Sequence, residues 1–142
     1  MKNKNTIIIA VIVIIIASIL NFPNITINEV KEPTATNLAV SILYLLIWSI
    51  LSIYSYKKKD IIFSKLMCMY WSISTIISLY LIMIYLADTE MNLLLFPFFL
   101  ICYSPFDGFM KLMGTTTTLI IISTICIIFI IIAIFINKHS KE

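Results

Sequence analysis

Apolar residues in this chain do not alternate every second position, and they do not trace a one-sided helical stripe. They fall in long unbroken runs separated by short polar or charged stretches. Four runs, at about 5–22, 38–56, 66–87 and 115–136, contain no charged side chain. A helix of roughly 20 residues at 1.5 Å per residue crosses a ~30 Å hydrocarbon core, so each run predicts a membrane-spanning helix. The first is the shortest: Ile7 to Leu20 falls short of that thickness, and extension from Asn5 to Phe22 brings it close. Pro23 cannot continue a helix and disfavours helical geometry at Phe22, which sets its end. Lys2 and Lys4 precede the run, and its exit, Ser18-Ile19-Leu20-Asn21, carries no small-residue cleavage site. It therefore reads as an uncleaved signal anchor and not as a signal peptide.

Between the third and fourth runs the pattern changes. Leu93 to Tyr103 is apolar and aromatic but only about eleven residues long, which suits an interfacial or re-entrant segment better than a crossing. Ser104-Pro105-Phe106-Asp107-Gly108 follows as a turn, so the outer hairpin occupies about 91–110. A five-span alternative would turn this stretch into a short crossing, and the charges decide against it. With four spans and the N-terminus inside, the cytoplasm holds Lys2, Lys4, Lys57, Lys58, Lys59, Lys65, Lys138 and Lys141, and only Lys31 and Lys111 lie outside. Five spans would export the C-terminal lysines and weaken the positive-inside bias. The expected fold is thus an all-α integral membrane protein, one transmembrane domain over residues 1–142. It has four transmembrane helices, a short interfacial or re-entrant hairpin between helices 3 and 4, and both termini on the cytoplasmic side of the cell membrane.

Composition sharpens this picture. Hydrophobic residues make up 61% and charged residues 12% of the chain, against roughly 45–50% and 25% in soluble domains. All ten basic side chains are lysine, Ile dominates the apolar positions, and Arg and Gln are absent, a bias that points to a low-GC bacterium. The sequon Asn24-Ile25-Thr26 carries no weight in such a source. The net charge of +3 arises from lysines flanking apolar runs and not from a groove-binding stripe, so no nucleic-acid partner is expected. No repeat at a fixed period is visible, and the halves do not duplicate each other as in many transporters.

Polar residues inside the spans are few. Ser41, Tyr44, Trp48, Ser52 and Ser55 share one face of the second span, and Cys68, Trp71, Thr75, Ser78 and Tyr85 share one face of the third. These faces read as a packed helix pair, since small hydroxyl residues allow close approach and bond across the gap at about 0.6 kcal/mol each. A polar path for a solute is the alternative. No span carries the ionisable group that coupled transporters place in the membrane, including the embedded glutamate of small multidrug transporters.

Catalytic and metal chemistry find no foothold in the sequence. The three cysteines, Cys68, Cys102 and Cys126, are expected at different depths, form no C-x-x-C motif and read as reduced and structural. His139, the single histidine, lies in the C-terminal tail, and no G-x-S-x-G elbow is present. No cofactor is expected. Thr115 to Thr118 read as a cap for the last helix, and Lys57 to Lys59 with Lys65 as a topology anchor that can also hold anionic headgroups. The distinctive region is Phe96 to Phe109, whose aromatics are expected at the outer surface. Phe98, Phe99 and Phe106 are the candidate contacts for a partner or lipid, while Asp107 is expected to bond local backbone within its turn.

The reading that follows is a non-catalytic accessory, regulatory or immunity-like membrane protein. Its expected partners are the lipid bilayer and a membrane protein or further copies of itself. A small oligomeric transporter or channel subunit is the alternative, with a membrane enzyme third.

Overall fold

The computed structural model describes residues 3–22, 34–89 and 93–140. The sequon, Glu29, Lys31, Glu32, Glu90, Lys2 and Lys141 lie outside the described residues. Among the described residues six α-helices follow in order: α1 (Asn3–Asn21), α2 (Ala35–Lys58), α3 (Ile61–Ala87), α4 (Phe96–Cys102), α5 (Met110–Met113) and α6 (Thr115–His139). Single 3-10 segments at Leu93–Leu95 and Ser104–Phe109 flank α4, and no strand occurs among the described residues. Three helices, α2, α3 and α6, are long and apolar enough to cross a membrane, with α1 shorter.

The helix ends differ from the sequence expectation for local chemical reasons. α3 begins at Ile61 and not near Leu66, because Asp60 serves as its N-cap and accepts the Phe63 amide at 3.0 Å. Lys59 closes α2 in the left-handed conformation (φ 51°), and the Asp60 amide donates back to the Ser55 carbonyl at 3.0 Å. The expected basic loop therefore shrinks to a two-residue turn. α6 runs on to His139, where Lys138 and His139 suit the negative end of the helix dipole. Its start is capped differently from expectation: Gly114 occupies the N-cap at φ 71°, and no threonine side chain caps the helix. Thr118 is buried and donates to the Gly114 carbonyl at 2.7 Å.

Apolar residues point outwards as well as inwards. Most isoleucines of α1 and α6 are exposed, whereas the buried line of α1 is Thr6, Ala10, Ala17 and Asn21. Lipid tails are as apolar as an isoleucine core, so helices of this kind associate through close packing and hydrogen bonds, with small residues at the seam. α3 and α6 form the most extensive interface and run antiparallel. Ser64 donates to the Ala133 carbonyl at 2.6 Å, and Ser78 meets the Ser123 hydroxyl at 2.9 Å. The hydroxyl face of α3 thus packs against α6, not against α2 as the matching stripes suggest.

α2 and α3 meet through aromatic rings instead. Trp48 stacks on Tyr70 at 5.3 Å and meets Trp71 edge-on at 5.1 Å, while Trp71 stacks on Phe129 of α6 at 4.5 Å. Phe63 and Tyr44 extend the cluster along α2 and α3.

Asp60 gives a direct test of the α2–α3 turn. Replacing it with Ala should cost about 1 kcal/mol, the usual cost of a lost N-cap, and lower the unfolding midpoint in detergent. Asp60→Asn, which keeps a capping oxygen, should retain most of that stability.

Candidate functional site

The connection between α3 and α6 is the region where this chain departs from simple helices. Pro97 lies in the first turn of α4, where its missing N–H matters least, and Pro105 does the same for the 3-10 segment Ser104–Phe109. Two short elements result, joined at Tyr103. The tip of this hairpin does not rest on the end of the bundle. Phe106 has 0% exposure and sits 5.4 Å from the Tyr44 ring and 6.1 Å from Trp71, near the middle of α3.

A short segment of this kind leaves backbone carbonyls without partners, and burial makes each of them costly. Neighbouring helices supply the donors. Tyr70 donates to the Ile101 carbonyl at 3.2 Å, which leaves Tyr44 as the donor in the 2.7 Å bond between the two phenols. Asn21, fully buried at the end of α1, donates to the Pro105 carbonyl and to the Ser41 hydroxyl, both at 3.2 Å. Its own carbonyl accepts from the Asn37 side-chain amide at 3.1 Å. The return contact is Ser104, whose hydroxyl donates to the Ser18 carbonyl at 3.0 Å.

Gly108 explains how closely the backbones approach. A Cβ there would collide with the Asn37 carbonyl and lie 2.5 Å from the Leu38 nitrogen, so only glycine fits. Asp107 is buried beside Tyr103. Burial, and then that carboxylate, raise the Tyr103 phenol above its ordinary range, which keeps it neutral. Its hydroxyl donates to Met110 Sδ at 2.8 Å. Burial pushes the Cys102 thiol up in the same way.

The candidate contact residues separate accordingly. Phe98 is 51% exposed, on a strip with Pro97 and Ile101 (47%) of α4 and Leu94 (81%) of the preceding 3-10 segment. Phe99 is half-buried and stacks on Tyr103 at 4.8 Å. Phe106 is a core residue, which corrects its expected place at the outer surface: the hairpin folds inward and carries it into the aromatic cluster. On α2, Ser41, Tyr44, Trp48, Ser52 and Ser55 are all buried. Trp71 and Ser78 are buried on α3, Thr75 is half-buried, and Tyr85 is exposed.

The hydroxyls of these faces are engaged internally. Ser41, Ser52 and Thr75 each donate to the carbonyl four residues back, at 3.1, 2.7 and 2.8 Å, and Ser55 donates to the Asp60 carbonyl at 3.3 Å. Cys68, Cys102 and Cys126 are free thiols, with Cys102 buried at the hairpin rather than at the outer edge. Among the described residues no group of three or more His, Cys, Asp or Glu could hold a metal ion.

Sequence reasoning missed Asn21 and Asn37. Asn21 read as the end of the first apolar run and Asn37 as the residue before the second, and the one available signal was an asparagine at the end of each adjacent apolar run. No protein family, characterised protein or solved structure matches the chain.

The two phenylalanines should behave oppositely on truncation. Phe106→Ala removes a fully buried ring, at about 3–5 kcal/mol, and should sharply reduce the yield of folded protein recovered in detergent. Phe98→Ala should leave that yield unchanged. Gly108→Ala should resemble Phe106→Ala, because the added methyl meets backbone that cannot move aside.

Proposed function

We propose that the chain is a four-span membrane protein with both termini on the cytoplasmic side, acting non-catalytically as an accessory, regulatory or immunity-like subunit. Its hairpin enters the membrane from the outer side and presents the strip Leu94, Pro97, Phe98 and Ile101 to a membrane-protein partner. The observation that carries this reading is the contrast between the two faces of the hairpin. Its inner face is bonded into the bundle through Asn21, Tyr70 and Phe106, while its outer face leaves large apolar side chains bare. Large aromatic and aliphatic anchors on a rigid support are the kind of surface that partners use.

Two further features support the membrane arrangement. α1 lies beside α2 along most of its length: Asn21 bonds near the start of α2, and Asn5, Thr6 and Ile9 share a groove with Ile50, Leu51, Tyr54 and Lys58 near its end. A helix of 19 residues is about 28 Å long, close to the thickness α2 would cross. Non-helical backbone is tolerated at membrane depth only where protein surrounds it, and Ser104 to Gly108 are all buried.

The internal hydrogen bonding of the serines and Thr75 favours packing over a solute path. A conducting or transporting pathway needs polar groups turned towards a solute, and these hydroxyls are turned to carbonyls or to one another.

A photo-activated crosslinker at Phe98 or Ile101 should yield one discrete protein adduct in native membranes, and Leu94→Ser should abolish it. The same crosslinker at Phe106 should give none. Adducts to lipid alone at both exposed positions would overturn the contact reading. Reporters fused after Lys59 and after Ser140 should both report cytoplasm, and reports from opposite sides would overturn the four-span topology.

A further inference from the structure

A groove runs between α2 and α6, on a surface the proposed partner contact does not use. It encloses about 710 Å³ and is lined by Leu45, Ser49, Ile53 and Tyr56 on one wall and by residues including Ile128 and Phe135 on the other. That volume lies within the ~300–1,000 Å³ range of small-molecule sites. The two serines of this wall are engaged within α2: Ser49 donates to the Leu45 carbonyl at 2.9 Å and Ser52 to the Trp48 carbonyl at 2.7 Å. The lining is therefore apolar in effect.

One end of the groove is chemically distinct. Tyr56 stacks between Phe135 at 5.8 Å and His139 at 4.4 Å, which closes the groove with an aromatic ladder. Immediately beyond it come Lys57, Lys58 and Lys59 from α2, and Lys138 one turn beyond Phe135 on α6, all exposed. Among the described residues, the acidic one at this end, Asp60, is buried and occupied as the N-cap of α3. An apolar trough thus opens onto a cluster of cations with no exposed carboxylate among the described residues to neutralise it.

The groove and its cations together restrict the occupant. Between Leu45 and Tyr56 the groove follows about 16 Å of helix at 1.5 Å per residue, about half of a ~30 Å hydrocarbon core and so the depth of one leaflet's acyl chains. We infer that the α2–α6 groove binds an anionic phospholipid, with its acyl chains along Leu45 to Tyr56 and Ile128 to Phe135 and its phosphate among Lys57, Lys59 and Lys138, Lys58 being turned to the α1 side of α2. Clustered lysines beside a membrane helix attract anionic headgroups, and the groove adds a fixed seat for the chains. A purely apolar partner helix would leave the lysines without a counter-charge.

The experiment uses the full chain in vesicles of equal phosphatidylglycerol and phosphatidylcholine, released into the gas phase for native mass spectrometry. The protein should retain phosphatidylglycerol at least fivefold over phosphatidylcholine. Lys59→Ala with Lys138→Ala should bring that ratio close to one. Ser49→Phe, which adds bulk at an exposed position in the groove, should reduce retention of the lipid while circular dichroism stays unchanged. Equal retention of the two lipids by the unmodified chain would overturn the inference, as would a phosphatidylglycerol preference that survives both changes. Ser49→Cys that crosslinks to a second Ser49→Cys chain in the same vesicles would assign the groove to a dimer instead. If the Phe98 adduct were absent while phosphatidylglycerol retention persisted, the partner reading alone would fail.

Discussion

Asn21 joins three parts of the chain through one side chain. Its amide reaches the Pro105 carbonyl and the Ser41 hydroxyl, and its oxygen accepts from Asn37. A buried carboxamide left unpaired would cost several kcal/mol, so the end of α1, the start of α2 and the hairpin tip must assemble together or leave polar groups exposed to an apolar surrounding. The hairpin can enter the bundle only because this bond and the Tyr70 bond to Ile101 take up carbonyls that its short helices cannot pair. Gly108 then sets the distance, since any side chain there would hold the tip away from α2.

Around this seat the molecule uses two different kinds of contact. α3 and α6 approach through serine, alanine and cysteine, with hydroxyls bonded to carbonyls across the interface. α2 joins them through rings, where Trp48, Tyr70, Trp71 and Phe129 stack or meet edge-on. Offset and edge-on geometries add about 0.5–1.5 kcal/mol per pair beyond the area they bury. In a lipid surrounding that directional gain matters more than it would in water, because moving an isoleucine from lipid to protein gains little. This is why the most apolar residues lie on the outside and the polar and aromatic ones within.

The outer surface is correspondingly uneven. One apolar strip lies on α4, held in place from behind by Phe99, Tyr103 and Phe106, and one groove lies between α2 and α6 with lysines at its end. The proposed protein contact and the proposed lipid seat occupy these separate places. Nothing in either requires a reacting group, and the internal bonding of the serines and Thr75 leaves the bundle interior committed to its own packing.

The four apolar runs, the lysines at their ends and the buried face of α2 were legible in the sequence, because run length, charge and a spacing of three or four residues are local properties. Helix lengths were legible to within about five residues, and the largest error fell at Asp60, whose cap starts α3 at Ile61; the start of α6 at Thr115 was legible, but its Gly114 cap was not. The partner of each face was not legible. Serines at the same spacing on α2 and α3 look alike in a linear chain, yet those of α3 meet α6 and those of α2 bond mainly within their own helix. The hairpin shows the limit most clearly. Phe98 and Phe106 are both phenylalanines near a proline, and composition placed both at the surface. Only the tertiary structure, by supplying donors from α1 and α3 to the short hairpin backbone, decided that one ring would fill the core and the other would stay exposed.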